Sequence, residues 1–167
     1  MEQFDILDIN GNPMGLKADK GTQLKEGQYY LGVHVYIYNS FGEFLLQQRS
    51  YNKAFLPGGW DVVLEHVIAG ETSKEAALRG IAEEVGLCVL EGNLNLVKRF
   101  VWEDHIVDVY FVKADFNVND LKLQSREVIG AKMASKLEML GWASNMDYRP
   151  SEYREYIANA IKGMKFD

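Results

Sequence analysis

The chain has 167 residues, of which 47% are hydrophobic and 25% are charged, a balance typical of one globular domain with its own core. We therefore treat residues 1–167 as a single domain. Its net charge of -6 argues against nucleic-acid binding, which needs a basic surface, and against binding to an anionic membrane. An acidic protein that handles phosphates needs cations, and a metal ion is the natural source.

The single cysteine and the N-terminus indicate a cellular compartment. Cys88 cannot form an intrachain disulfide, which agrees with a reducing environment. Its apolar neighbours predict a buried small side chain rather than a nucleophile. Acidic residues stand at the N-terminus where a signal peptide needs basic ones, and no apolar run approaches the length of a membrane span. We expect a cytoplasmic protein.

The strand predictions come from alternating or dense apolar residues bounded by turn signals. Residues 3–8 predict an edge strand, followed by a turn at 10–13 and a second short strand over 14–18. The aromatic and β-branched run over 30–38 predicts a strand whose hairpin partner is 43–49. The remaining predicted strands cover residues 60–64, 94–102, 106–114 and 128–133, with 94–102 and 106–114 forming a hairpin around a tip at 103–105.

The helix predictions frame these strands. Either Thr72 or Ser73 caps a helix that runs from Lys74 to about Val85, and Gly86 ends it. A short helix opens over residues 135–140. A C-terminal helix begins near Pro150, and its apolar face comprises Tyr153, Tyr156, Ile157, Ala160 and Ile161. Strands on both sides of a central helix favour an α/β fold in which helices cover a mixed sheet.

Charged residues concentrate on and before the central helix. Positions 80, 83 and 84 share one helical face, which places Glu83 beside Glu84. The same spacing pairs Arg79 with Glu83 and with Glu75, while Glu71 precedes the helix, where backbone amides favour negative charge. Carboxylates on one face repel each other unless arginine or a metal compensates. Oxygen ligands suit magnesium or manganese, which commonly bridge carboxylates to substrate phosphates.

Residues 65–87, EHVIAGETSKEAALRGIAEEVGL, resemble the Nudix signature, which is Gly, any five, Glu, any seven, then Arg-Glu-aliphatic-any-Glu-Glu-any-Gly-aliphatic. Seven of the nine specified positions match, namely Glu71, Arg79, Ile81, Glu83, Glu84, Gly86 and Leu87. Flanking segments are similar to the isopentenyl-diphosphate-isomerase-like branch of the family, among them residues 33–35, 45–50, 57–61, 127–130 and 135–138. The resemblance implies a Nudix-type α/β/α sandwich with a mixed β-sheet.

The resemblance also implies a function. A Nudix hydrolase would use Mg²⁺ or Mn²⁺ to hydrolyse a nucleoside diphosphate linked to another moiety, a small-molecule diphosphate substrate. The metal ligands would be Glu83, Glu84 and Glu71, with Arg79 supporting them. The general base would be Glu83, Glu65 or Glu127. The family resemblance also leaves open a homodimer.

Two positions depart from the signature. Glu65 stands where glycine is expected, and Gly80 stands where the family has a glutamate that commonly binds metal. A glycine inside a helix costs about 1 kcal/mol relative to alanine. One hypothesis is that the carboxylate lost at Gly80 has been relocated to Glu65. The alternative is two independent changes in a weakened enzyme.

The departures keep two further functions open. With Gly80, the domain could have lost catalysis and kept ligand recognition as a sensor or binding module. The third candidate is isopentenyl-diphosphate isomerase, whose chemistry needs a cysteine before the signature and a histidine-rich metal site. Tyr30 stands where related proteins have a histidine, and Cys88 follows the box, so this candidate ranks last.

Several polar residues, most of them outside the signature, have two possible interpretations. His66 is a metal ligand in true isomerases, but here we favour loop hydrogen bonding. His34 is expected to be a hydrogen-bonded histidine of the core or surface, and His105 to lie in a solvated hairpin tip. Arg49 and Lys53 could contact phosphates or be ordinary surface charges.

Overall fold

The computed structural model describes residues 2–166, which form two β-sheets, three α-helices and two short 3₁₀ turns. The strands are β1 (Gln3–Leu7), β2 (Pro13–Asp19), β3 (Tyr30–Tyr38), β4 (Phe44–Arg49), β5 (Trp60–Asp61), β6 (Val63–His66), β7 (Leu94–Trp102), β8 (His105–Lys113) and β9 (Val128–Ala134). The helices are α1 (Ser73–Val85), α2 (Lys136–Asn145) and α3 (Ser151–Gly163).

The main sheet is mixed and has seven strands. Its principal order is β5-β4-β3-β8-β7, while β6 also pairs with β3 and β9 also pairs with β4. Strand β3 runs parallel to β8 and antiparallel to β6. Because β3 is buried along most of its length, it occupies the centre of the sheet, as expected for a strand apolar on both faces.

The predicted hairpin between residues 30–38 and 43–49 forms only at its turn. Tyr38 pairs with Phe44, and beyond that point the two strands diverge. Strand β4 pairs with β9 along its length instead, while β3 pairs with β8 and β6. The prediction assigned neighbours by sequence proximity, whereas the most apolar strand takes partners on both sides from distant parts of the chain. The predicted hairpin of β7 and β8 is confirmed.

Helices cover both faces of the main sheet, which confirms the α/β/α sandwich. Helix α1 packs on one face over a core that includes Val33, Val35, Ile37, Leu45, Ala77, Ile81 and Val112. Helices α2 and α3 pack on the other face over Tyr36, Phe44, Leu46, Phe111, Met139, Tyr153, Ile157 and Ile161. The predicted apolar face of the C-terminal helix is therefore the face that α3 buries.

The N-terminal hairpin of β1 and β2 forms a separate two-stranded sheet with a small core of Phe4, Ile6, Ala18 and Tyr30. It also holds the loop that precedes α1. The Ala69 amide donates to the Gln3 carbonyl at 2.8 Å, and the Gly70 amide donates to the Asp5 carboxylate at 2.8 Å. Strand β1 therefore fixes the approach of the chain to α1.

Cys88 is exposed, so the prediction of a buried cysteine was wrong. Gly86 ends α1 with a left-handed backbone, at φ 73°, and turns the chain across the surface. Leu87 and Val89 then pack against the core below α1, and Cys88 between them faces outward. Among the helices of residues 2–166, none combines the length and the apolar character needed to cross a bilayer.

Candidate active site

Helix α1 begins with a capping box between Thr72 and Glu75. The Thr72 hydroxyl accepts from the Glu75 amide at 3.1 Å, and the Glu75 carboxylate accepts from the Thr72 amide at 3.0 Å. Of the two predicted caps, Thr72 is therefore the one used. The predicted pairing of Glu75 with Arg79 was wrong, because the Glu75 carboxylate turns back to the helix N-terminus.

The face of α1 that packs on the sheet is a stripe of small and aliphatic residues that ends in a carboxylate. Its buried members are Ala76, Ala77, Gly80, Ile81, Glu84 and Val85. Glu84 is only 5% exposed, whereas the side chain of Glu83 is 60% exposed. The two consecutive carboxylates predicted to bind metal therefore lie in very different surroundings, one against the sheet and one in solvent.

The Glu84 carboxylate has one hydrogen-bond donor. Gln47 on β4 donates from Nε2 to Oε1 of Glu84 at 3.0 Å, while Oε2 of Glu84 is buried without a partner among the described residues. Burial, and next the nearby charge of Glu65, raise the pKa of Glu84 to about 8. A buried carboxylate with so little compensation is unfavourable unless a cation or another donor reaches its free oxygen.

Sequence reasoning missed Gln47, although a pattern could have found it. Leu45 and Gln47 are two residues apart on β4, so both side chains point to the face below α1, and both are buried. A polar side chain at a core-facing position needs a polar partner. That partner is Glu84, together with the Val62 carbonyl, which lies 3.4 Å from the Gln47 amide nitrogen.

Arg79 joins the loop before α1 to the helix. Its Nε and Nη2 atoms donate to the two oxygens of Glu71 at 2.8 and 3.0 Å, and Nη2 also donates to the His66 carbonyl at 2.8 Å. The Ile68 amide donates to the same Glu71 carboxylate at 3.1 Å. These bonds occupy both Glu71 oxygens, an arrangement typical of a residue that positions Arg79 and the loop rather than of a metal ligand.

The remaining contacts of Arg79 reach two further carboxylates. Its Nη1 atom lies 3.5 Å from Oε2 of Glu65 and 3.5 Å from Oε2 of Glu83. Hydrogen bonding to Glu71, together with the charges of Glu65 and Glu83, raises the pKa of Arg79 and keeps the guanidinium charged. Arg79 therefore offsets part of the repulsion among these carboxylates.

Glu65 lies on β6 directly opposite Gly80. Successive strand residues point to opposite faces, so the buried Val63 and Glu65 both face α1. A Cβ atom built on Gly80 would lie 3.1 Å from Cβ and 3.4 Å from Cγ of Glu65. The Glu65 side chain is 21% exposed, and burial raises the pKa of its carboxyl group.

Two charged residues outside the box complete the surroundings of Glu84. Glu127 raises the pKa of Glu84 and Arg49 lowers it, so both act on this carboxylate. Glu127 forms an ion pair with Lys53, and Arg49 is buried and donates from Nε to the Phe55 carbonyl at 2.8 Å. The structure thus brings basic residues and Glu127 to the same end of the sheet.

The three histidines are held by packing and, for His34 and His105, also by a polar partner. The His66 ring packs against Phe4 and His105, with centroid distances of 5.2 and 5.8 Å, and burial lowers its pKa to about 4. The His66 carbonyl accepts from Arg79, and the loop hydrogen bonding predicted for the His66 side chain stays a prediction. His105 was expected in a solvated tip, but its ring is half-buried against His66. His34 is buried and bonded to the Tyr153 hydroxyl at 2.7 Å.

The acidic residues fit a divalent cation that a substrate would help to hold. Within residues 2–166, no group of three histidine, cysteine or acidic side chains is placed to hold a metal ion by itself. Magnesium, however, is usually bound through one or two carboxylates together with substrate phosphates and water. The free oxygen of Glu84 and the Glu65 carboxylate are oxygen donors of this type.

The chain is similar to known proteins along most of its length. The NUDIX domain model matches residues 28–157. An uncharacterized Nudix hydrolase of Listeria monocytogenes is 30% identical over 160 residues, which cover 95% of this chain and 95% of the relative. An isopentenyl-diphosphate Delta-isomerase of Pectobacterium atrosepticum is 31% identical over 117 residues, covering 69% of this chain and 65% of the isomerase.

A solved structure extends the likeness to the fold. The crystal structure of a Deinococcus radiodurans protein superimposes with a TM-score of 0.73, covering 96% of this chain and 98% of that chain at 18% identity. At that identity the likeness concerns the fold alone. The family model and the Listeria relative go further, because they match most of the chain in sequence, and we conclude that this protein belongs to the Nudix hydrolase family.

Proposed function

We propose that this protein is a metal-dependent hydrolase of a nucleoside diphosphate linked to another moiety, and that it uses Mg²⁺ or Mn²⁺. The observation that carries the proposal is the buried Glu84 carboxylate, whose second oxygen has no partner within residues 2–166 and whose pKa is raised by burial and by the charge of Glu65. This arrangement is unfavourable for folding by itself, and it becomes favourable when a divalent cation shares the site.

The residues around the cation have distinct roles in this proposal. Glu84 and the exposed Glu83 are ligands, and Gln47 holds Glu84 in place through Oε1. Arg79 and Glu71 position the loop before α1 and keep the guanidinium against Glu65 and Glu83. The cation itself would polarise a phosphoryl oxygen and favour attack by water. The base that accepts the proton from this water is Glu83, Glu65 or Glu127.

The diphosphate is the part of the substrate with the most support. Divalent cations bound by carboxylates commonly bridge to phosphates, and Arg49 and Lys53 lie at the same end of the sheet as Glu84. The isomerase relative also acts on a diphosphate, as its name states. Isomerase activity itself is disfavoured, because that chemistry needs a cysteine before the signature. Leu64 precedes Glu65 there, and the single cysteine, Cys88, is exposed beyond the C-terminus of α1.

Gly80 favours a second candidate, a binding module that holds the diphosphate without cleaving it. The glycine removes one carboxylate from the helical face that also carries Glu83 and Glu84. Such a module would still bind the metal through Glu84. Metal binding and turnover must therefore be measured separately.

The test compares wild type with Glu84→Gln and with the control Glu75→Gln. Turnover is measured as nucleotide or phosphate release from a panel of nucleoside diphosphate derivatives with Mg²⁺ or Mn²⁺, and metal binding as the rise in Tm on adding Mn²⁺. We expect Glu84→Gln to lose turnover and the Mn²⁺-dependent rise in Tm. Glu75→Gln should keep both, because glutamine also completes a capping box.

Two results would contradict the hydrolase proposal. If Glu84→Gln turns over substrate as fast as wild type, Glu84 is not part of the site. If wild type binds Mn²⁺ through Glu84 but cleaves no member of the panel, the binding module becomes the better description.

A further inference from the structure

Position 80 of α1 is a glycine because of space rather than backbone conformation. Gly80 lies in the middle of α1 and is not among the glycines with positive φ, so any residue could adopt its backbone angles. Glycine at such a position costs about 1 kcal/mol relative to alanine. The compensating feature is the Glu65 side chain, which passes directly over Gly80.

A side chain at position 80 would crowd the Glu65 side chain. The Cβ of any residue at 80 would come within 3.1 Å of the Glu65 Cβ and 3.5 Å of a Val63 methyl group. Val63 is buried and β6 is hydrogen-bonded to β3, so the strand has little freedom to withdraw. A side chain at 80 would therefore require Glu65 and its strand to shift by a few tenths of an ångström.

Glu65 consequently brings a carboxylate to the helical face from the opposite side. Its Oε2 is 3.5 Å from Nη1 of Arg79, and its Oε1 accepts from the His66 amide at 3.1 Å. Beyond this acidic cluster, a separate observation points to a ligand: Oε2 of the buried Glu84 has no hydrogen-bond partner in the described part of the chain. Glu65 on β6 and Glu84 on α1 thus belong to the two elements that meet at Gly80.

We infer that Glu65 and Gly80 form one reciprocal unit, in which Glu65 on the strand supplies the metal-binding carboxylate that the helix lacks at position 80. The inference rests on the proposed metal site. It explains both departures from the Nudix signature with one geometric cause, because a residue that enters from β6 needs an empty position on α1.

The experiment is a double-mutant cycle with Glu65→Gly, Gly80→Glu and the combined variant, together with Glu65→Gln, which preserves side-chain size. Mn²⁺ affinity is measured from the free-ion signal in electron paramagnetic resonance, and Tm is measured without metal. Neither readout depends on turnover. Glu75→Gln serves again as the control, since its carboxylate caps the helix away from β6.

We expect Glu65→Gly and Glu65→Gln each to weaken Mn²⁺ binding by about tenfold or more. Gly80→Glu alone should lower the metal-free Tm, because its Cβ meets Glu65 and adds a carboxylate beside two others. The combined variant removes the collision and returns a carboxylate to the helical face. It should recover the metal-free Tm and most of the Mn²⁺ affinity lost in Glu65→Gly.

The inference is overturned if Glu65→Gln binds Mn²⁺ as tightly as wild type, or if the combined variant binds it no better than Glu65→Gly. The fate of the proposed hydrolysis is read separately. Loss of Mn²⁺ affinity in Glu65→Gln without wild-type turnover would support the reciprocal unit and refute the hydrolase. Turnover in wild type with unchanged Mn²⁺ affinity in Glu65→Gln would do the opposite.

Discussion

The ion pair between Asp61 and Arg149 offers a quantitative test of how the site is supported. Asp61 on β5 is 0% exposed and Arg149, between α2 and α3, is 5% exposed. The guanidinium donates to both carboxylate oxygens, at 2.9 and 2.7 Å. In the β4–β5 ladder Asp61 pairs with Gln47, the residue that donates to Glu84.

Asp61→Asn removes the charge of one partner and leaves Arg149 charged and buried. Burial disfavours the charged form of Arg149, and the charge of Asp61 is the largest influence that offsets it. Breaking a buried pair on one side typically costs about 3–5 kcal/mol. For a domain of this length that corresponds to a fall in Tm of roughly 6–20 °C.

The assay is urea denaturation of Asp61→Asn, Arg149→Met and the variant that combines both substitutions. Replacing both partners removes the uncompensated charge, so the combined variant should be more stable than the sum of the two single effects predicts. A loss below about 1 kcal/mol in Asp61→Asn, or strictly additive losses, would refute the view that desolvated charge dominates here.

Two further predictions concern the acid stability of the fold and the geometry of Arg79. Burial, and next the charge of Arg149 and of the other two histidines, lowers the pKa of His34 well below 6.5, and Tyr153 is its hydrogen-bond partner. Because the folded pKa of His34 lies below its unfolded value, the free energy of unfolding falls as pH drops below about 6.5, by at most ~1.4 kcal/mol per pH unit. In urea denaturation, His34→Asn should lose less stability than wild type between pH 6.5 and 5. Parallel pH dependences of the two proteins would contradict this. Arg79→Lys cannot donate in a fork to Glu71, so it should lose about 1.5–3 kcal/mol of stability and weaken Mn²⁺ binding, and an unchanged urea midpoint would show that the fork is dispensable.

The sequence predicted those parts of the fold that depend on local pattern. The dense apolar run of β3, the capped helix over residues 74–85 and the hairpin of β7 and β8 were all predictable, because their periodicity and end signals lie within a few residues. Strand pairing was less accessible. The chain alone does not reveal that β4 leaves β3 after Tyr38 to pair with β9.

The site shows the same division between local and distant information. The sequence predicted one group of site residues because a single helix and its preceding loop carry all of them, namely Glu71, Arg79, Glu83 and Glu84. The support that Gln47 gives to Glu84, and the contact of Glu65 with Gly80, arise between separate elements and required the structure. The cytoplasmic location and the homodimer stay predictions.

The parallel pairing of β3 with β8 has a consequence for how the protein is made. Tyr30 pairs with His105, so the chain that closes this contact includes β6 and α1 with every acidic residue of the signature. Contacts between residues so distant in sequence form slowly, because the entropy of closing the intervening loop is lost before the contacts stabilise the chain. The strand that carries Gln47 is completed later still, because β4 can pair with β9 only after β9 has been synthesised. The carboxylates are therefore synthesised before β8 and β9, the strands that complete the sheet below α1.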